Sequence, residues 1–355
     1  MSMRIGERLR TTLFGESHGP AVGALVEGIP AGTIIDEEFL AAELERRRPG
    51  SGIGSLRKES DYCEILSGVY EGKATGSPLL LLIRNVDARS SDYSFLPDMP
   101  RPGHADLPAM VNSEGAADPR GGGVNSARLT AGLVAAASLC SPLLHEHGIS
   151  VRAHVSAIGS VRCESIPLAL PDDEACQRVR CSNPESAQEM LSHVLEIRKL
   201  GDSVGSKVSI VIEGLPLGFG APWFEGLEPL LAHSLMSVPG ARAVEFGDGI
   251  DVCQSRGSQH NSPWYMGKDG PKTDGDGALG GMATGAPLRM ALTLKPPSSI
   301  SLPQHTLDMV SGEQKELVVG GRHDPVLGPR AVPVAEAMCR LVIADILLGG
   351  GAQDE

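Results

Sequence analysis

Apolar positions in this chain fall into short runs separated by glycine-rich polar segments, and their periods alternate between strand and helix. Residues 79–83 form a continuous apolar run of strand length and predict a buried strand. Residues 207–213 alternate apolar and polar and predict a half-buried one, and 288–294 predict another. Leu129, Leu133, Leu143 and Leu144 are spaced for a helix over 126–147, with Gly148 as its stop. Asn183-Pro184 opens a further helix that Gly201 ends, an N-cap followed by proline at the first turn and glycine after the last. Helical stretches are also predicted over roughly 37–48, 224–237 and 334–348, the last stopped by Gly349-Gly350-Gly351. The connections between elements are long and glycine-rich, and long ordered loops in a compact protein usually carry function.

One internal repeat stands out. Val22 to Gly32 aligns with Val208 to Gly218, five of eleven positions being identical, and each copy reads as a strand ending in Glu-Gly-x-Pro. Each is followed by a helical stretch and then a Pro-Gly turn, Pro49-Gly50 and Pro239-Gly240. Such self-similarity predicts two related halves about a pseudo-two-fold axis; chance matching of a glycine- and proline-punctuated strand end is the alternative. No linker of disordered composition divides the chain, so 1–355 reads as one domain of two halves, about 1–200 and 201–355.

Composition narrows the function classes. The chain is 41% hydrophobic but only 3% aromatic, so its core must rest on aliphatic side chains. Its net charge of −13 argues against nucleic-acid partners, which require a basic field. An acidic chain still binds anions where its cations gather in one cleft, and Arg46, Arg47, Arg48, Arg57 and Lys58 crowd one short window. The seven cysteines are odd in number and no pair has C-x-x-C spacing, so neither a disulfide framework nor a metal site is expected, and scattered thiols fit a reducing cytosol. The basic and acidic N-terminal residues Arg4, Glu7, Arg8 and Arg10 do not read as a signal peptide. The longest mostly apolar run, 131–144, is too short to span a bilayer and contains Pro142.

Several polar segments carry candidate chemistry, each with a plain structural alternative. Phe14-Gly15-Glu16-Ser17-His18-Gly19 and Arg101-Pro102-Gly103-His104-Ala105-Asp106 each set a histidine beside glycine, in stretches without hydrophobic periodicity. Histidine supplies general acid catalysis near neutral pH, and polar turns are the alternative. Arg128 and Arg322 stand near glycines and other polar groups, where guanidinium groups grip phosphates. For Arg46 to Arg48, cations complementing a helix C-terminus would suffice. Gly121-Gly122-Gly123 precedes the helix start near Ser126, a place for anions or a flexible lead-in. Asp324 is a proton-transfer group or a turn former, and Lys295 to Ser299 a phosphate-contacting segment or a solvated loop. Neither a Walker loop nor a Rossmann glycine fingerprint is present.

Taken in this order and spacing, these segments, with Asn125-Ser126-Ala127-Arg128 and Gly321-Arg322-His323-Asp324-Pro325, resemble chorismate synthase from about Gly6 to Leu348. The resemblance implies an α+β fold, a β-α-β sandwich with internal pseudo-two-fold repeat, in a cytoplasmic homotetramer of the shikimate pathway. It implies reduced FMN and an anti-1,4-elimination of phosphate from 5-enolpyruvylshikimate 3-phosphate, with no net redox change and the hard chemistry lying in the cofactor. It raises NADPH as the flavin reductant, which the residues of this chain do not decide.

By motif, His18 resembles the histidine proposed to protonate the departing phosphate, and His104 the one beside the reduced flavin. Asp324 resembles the carboxylate that helps remove the C6 proton. Ser126, Arg128, Lys295, Ser298, Ser299 and Arg322 match flavin-binding positions, and Ser17, Arg47 and Arg48 match substrate or NADP positions. Val124 and Leu129 stand where family members carry arginine and glutamate. Ile53 lies where a further basic residue usually follows the Pro-Gly turn, and Thr273 to Gly281 replaces an asparagine-rich segment. Val124 and Ile53 remove positive charge, and they favour the rival reading of a flavin- or anion-binding protein of this fold that has lost the elimination.

Overall fold

The computed structural model describes residues 3–48, 53, 61–86, 90–321 and 323–350. Arg57, Lys58, Arg322 and the Pro49-Gly50 turn lie outside the described residues. The first sheet uses β1 (Arg4–Ile5), β2 (Arg10–Gly15), β3 (Ala21–Glu27), β4 (Cys63–Ser67) and, after the hairpin β5–β6 (Val69–Tyr70 and Lys73–Ala74), β7 (Leu79–Arg84). Helix α1 (Glu37–Arg47) joins β3 to β4, and α2 (Asp106–Asn112), α3 (Thr130–Ser138) and α4 (Ser141–Glu146) follow. The second sheet begins with β8 (Ser150–Ile158) and β9 (Val161–Arg162), then passes through α5 (Glu174–Val179) and α6 (Pro184–Lys199) to β10 (Ser206–Glu213). Helix α7 (Leu227–Met236) leads to β11 (Ala241–Phe246). After α8 (Gly257–His260) and the hairpins β12–β13 (Tyr265–Gly267, Gly270–Lys272) and β14–β15 (Ala278–Leu279, Met282–Ala283) comes β16 (Leu288–Leu294). A last hairpin, β17–β18 (Gln304–Leu307, Gln314–Leu317), precedes α9 (Gly328–Leu348).

Both sheets are antiparallel and five-stranded among the described residues, ordered β1-β2-β3-β7-β4 and β11-β16-β10-β8-β9. Helix α3 packs on β3 and β7, α9 packs on β8 and β10, and the two helices pack on each other. The layers are therefore sheet, helices, sheet. Every residue of α3 is buried, which is why its apolar positions show no single face.

The duplicated strands β3 and β10 are each the central strand of their sheet, and the connections that follow them match: strand, helix, edge strand, hairpin, inner strand. Gly28 and Gly214 close the two copies in the same way. Their φ values are 97° and 84°, and a Cβ would lie 2.0 Å from the Arg8 carbonyl oxygen in one and 2.1 Å from that of Gly148 in the other. Only glycine fits either place. A second matching segment escaped the sequence reading: Gly68 to Leu79 and Gly277 to Leu288 share seven of twelve residues and form the hairpins β5–β6 and β14–β15. Strands β8 and β9, which precede residue 200, pair into the second sheet.

Two helices differ from expectation. The 126–147 stretch is broken into a 3-10 turn, α3 and α4, with Pro142 in the first turn of α4, where its ring and missing N–H prevent continuation from α3. The C-terminal helix starts at Gly328, six residues before the predicted start, and carries Pro333 inside it. The helix over Pro184–Lys199 has the expected Asn183 cap, its side chain accepting from the Ser186 N–H at 2.9 Å.

An ionic network ties α1 to α9 and to the second sheet. Arg46 reaches Glu336 at 2.8 Å and also pairs with Glu43, which pairs with Arg340. Glu336 accepts the Ala153 main-chain N–H at 2.9 Å. Burial alone would raise the Glu43 pKa, but Arg340 and Arg46 outweigh it and hold it below its ordinary value of 4.5. Its stabilising ionisation is in place above about pH 4.5 and is lost as the pH falls toward the lowered folded-state value. Glu43→Gln should therefore cost about 3–5 kcal/mol near neutral pH, since it leaves two arginines short of a buried partner. The gap to wild type in urea unfolding should narrow as pH is taken from 5 to 3; a gap independent of pH would contradict this account.

Candidate active site

A cavity of about 600 Å³ opens between the two halves of the chain. The first half contributes Tyr93, the Gly103-His104-Ala105 turn ahead of α2, and the loop from Gly121 to Arg128. The second half contributes the turn from Ser237 to Arg242, the segment from Lys295 to Ser299 that follows β16, and His323 to Arg330 at the start of α9.

The glycine run is a wedge rather than a flexible lead-in. Gly121, Gly122 and Gly123 all have positive φ, at 61°, 94° and 52°. A Cβ on Gly121 would lie 2.1 Å from the His18 ring, and one on Gly122 would lie 3.0 Å from the His104 ring. Two histidines distant in sequence are thus pressed against adjacent glycines. The loop is held by the Ser17 N–H donating to the Gly123 carbonyl and the Ser17 hydroxyl donating to the Arg120 carbonyl, both at 3.3 Å. His18 lies behind the lining residues, its ring centroid 5.3 Å from that of Tyr93, and its buried Nδ1 has no hydrogen-bond partner.

His104 lines the cavity and is oriented from beneath. Its Nδ1 lies 2.7 Å from Asp106 Oδ1, which makes Nδ1 the protonated nitrogen. Arg101 clamps the same carboxylate with Nε at 2.8 Å and Nη2 at 2.7 Å, and its Nη1 donates to Ser299 Oγ at 3.0 Å. Burial would raise the Asp106 pKa, but the hydrogen bonds from Arg101 and His104 outweigh it and hold the carboxyl well below the usual range. Asp106 is therefore a fixed anion beneath the imidazole.

The cationic side of the cavity comes from Arg128, Arg242, Lys295 and Arg330, whereas Asp324 is the one carboxylate among the described lining residues. That is a local reversal in a chain of net charge −13. Lys295 donates to the Gly103 carbonyl and, at 2.9 Å, to Ser298 Oγ, which itself donates to Gly103 at 2.7 Å. Burial and then the neighbouring Arg242 lower the Lys295 pKa. Asp324 is paired with Arg330 at 2.6 Å. Ser126 caps the 3-10 turn, accepting from the Arg128 N–H at 3.3 Å.

Most residues singled out from the sequence meet here: His104, Ser126, Arg128, Lys295, Ser298, Ser299 and Asp324 line the cavity, with Ser17 and His18 directly behind its glycine wall. Arg47 does not line it. Its side chain is 1% exposed and donates to Asp61 Oδ2 at 2.6 Å, and Asp61 Oδ1 receives the guanidinium of Arg128. Expected to bind substrate or NADP, Arg47 is instead a buried support for Arg128. Arg48 ends α1 and pairs with Glu45, away from the lining residues.

The departures from the family pattern sort themselves by place. Ile53 and Leu129 are core residues, 1% and 4% exposed, while Val124 lines the cavity. Asp274 to Gly277 line a separate cavity that shares no lining residue with this one. The sequence reading missed Arg101, Asp106, Arg242, Arg330 and Asp61. The first two were inside a quoted motif, and Arg242 follows the Pro-Gly turn of the second repeat copy, so a signal existed for those. Asp61 had none, because its role rests on two distant arginines.

A family model described as chorismate synthase matches residues 9–348. A curated chorismate synthase of Aeropyrum pernix is 44% identical over 353 residues, covering 97% of this chain and 92% of that protein. One from Methanosarcina mazei is 43% identical over 352 residues, covering 98% and 96%. A solved structure described as a crystal structure of chorismate synthase superposes with a TM-score of 0.75 at 28% identity, covering 97% of this chain and 93% of that one.

The Arg47–Asp61–Arg128 arrangement generates a stability prediction. Asp61→Ala leaves two nearly inaccessible guanidinium groups without their shared carboxylate and should cost about 3–5 kcal/mol. Urea unfolding at neutral pH would measure it, and a loss under about 1 kcal/mol would show that the arginines are compensated elsewhere.

Proposed function

The chain belongs to the chorismate synthase family, and on that premise we propose that it eliminates phosphate from 5-enolpyruvylshikimate 3-phosphate with reduced FMN as cofactor. The C3–O bond breaks with phosphate as the leaving group, the C6–H bond breaks, and a second ring double bond forms, with no net redox change. One observation supports this reading above the others: residues from distant segments, each matching a family motif, share one cavity whose net character is cationic. Reduced FMN would be held by Ser126, Arg128, Lys295, Ser298 and Ser299 and would supply transient electron density for the elimination.

The residues fit such a pair of anionic ligands. The volume of about 600 Å³ lies within the usual range of ligand sites. Lys295, Arg242 and the hydroxyls of Ser126, Ser298 and Ser299 offer donors to phosphate and carbonyl groups.

The roles of this chain's residues follow from their settings. His104, with Nδ1 committed to Asp106, works through its remaining face to hold charge on the cofactor. His18 is the proton donor to the departing phosphate. Asp324, oriented by its pairing with Arg330, assists removal of the C6 proton. Arg128 sets the field of the pocket and is itself fixed by Asp61. The same reading makes the protein a cytoplasmic homotetramer acting on a small molecule, with its two halves related by a pseudo-two-fold axis.

Anaerobic release of inorganic phosphate from the substrate with chemically reduced FMN is the direct test. Binding of FMN and substrate without turnover would instead favour a ligand-binding protein that has lost the elimination. His104→Ala should lower turnover by about 10²-fold or more while circular dichroism stays unchanged; wild-type turnover would remove His104 from the mechanism. Val124→Arg places a cation on the cavity wall and should tighten binding of FMN or substrate, more so at low ionic strength. Titrations at two salt concentrations would measure this, and unchanged affinity for both ligands would mean that the existing cations already satisfy the site.

A further inference from the structure

Away from the cavity, three buried soft ligands converge under the edge of the second sheet. His154 on β8, Cys163 just after β9 and Cys181 in the turn between α5 and α6 have donor atoms that all lie within 4.8 Å of one another. They are 0%, 6% and 0% exposed. The sequence showed no ligand spacing here, because the three come from separate elements joined by sheet pairing and helix packing.

The imidazole is set up as a neutral ligand. Nδ1 lies 2.8 Å from Ser182 Oγ, a contact that orients the ring; the Ser182 N–H is farther off, at 3.4 Å. Nε2 is buried and makes no hydrogen bond of ordinary geometry. A buried ring nitrogen without a partner costs stability unless something occupies it. A histidine fixed through one nitrogen with the other free is the usual disposition of a metal ligand.

We propose that His154, Cys163 and Cys181 bind a Zn²⁺ ion. Tetrahedral zinc with sulfur at about 2.3 Å needs sulfur atoms about 3.8 Å apart, so the present spacing closes with shifts of about an ångström. Two thiolates neutralise the dication, so a filled site carries no net charge into the interior. Binding displaces one proton from each thiol and leaves the imidazole neutral. Ser165 Oγ, 2.9 Å from Cys163 Sγ, also lines the separate cavity of about 480 Å³, which gives the ion a route in and a fourth, oxygen ligand from Ser165 or water. The filled site would pin the segment between β9 and α6 to the sheet.

The test is metal content of the full chain purified under reducing conditions, dialysed against micromolar Zn²⁺ and then metal-free buffer. The wild type should retain about one equivalent, and Cys253→Ser, at an exposed thiol, should match it. Cys163→Ser and Cys181→Ser should each lose most of the metal. Because either variant could fold poorly, Co²⁺ in the wild type provides a second reading: a thiolate charge-transfer band in the near ultraviolet with intense tetrahedral bands in the visible. Wild type that retains no Zn²⁺, well-folded Cys163→Ser and Cys181→Ser proteins that retain it in full, or Co²⁺ spectra without thiolate bands would each overturn the proposal.

Discussion

The backbone from Gly121 to Gly123 has positive φ at three successive residues, with the His18 and His104 rings against it. No other residue type supports that path, since a Cβ at Gly121 would occupy the His18 ring and L side chains rarely adopt these dihedrals. The arrangement of the cavity wall depends on it. Ser17 bonds to this loop on one side, Ser126 and Arg128 continue it on the other, and α3 begins directly after.

Electrostatics set the second constraint. A chain of net charge −13 has to assemble a cationic cavity without burying uncompensated charge. It does so by placing carboxylates behind the cations: Asp61 behind Arg128, Asp106 behind His104 and Arg101, and Asp324 beside Arg330. These acids orient the groups that face the cavity, whereas Lys295 and Arg242 on that wall donate to carbonyl and hydroxyl oxygens.

The two halves contribute unequally to that cavity. Both repeat copies build a central strand, a helix and a hairpin, yet the first supplies the histidine-bearing loops and the second supplies Arg242, Lys295 and the start of α9. Asp274 to Gly277, which lead into the β14–β15 hairpin, line a different cavity. The long loops, free of strand and helix hydrogen bonding, supply the site.

The sequence by itself determined the strands β3, β7, β10 and β16 and the helix from Pro184 to Lys199, because period, capping residue and stop signal are local. It also marked the polar segments that line the cavity, since glycine-flanked histidines and serines without hydrophobic periodicity have no place in a core. Only the tertiary structure decided what depends on contacts between distant residues. It put β8 and β9 into the second sheet, since strand pairing is non-local. It turned Arg47 from a ligand-binding residue into a buried support, because its partner Asp61 arrives from another segment and also holds Arg128. It brought His154, Cys163 and Cys181 within reach of one another, which no spacing along the chain announces, since each sits on a different element and folding alone sets the distances between them.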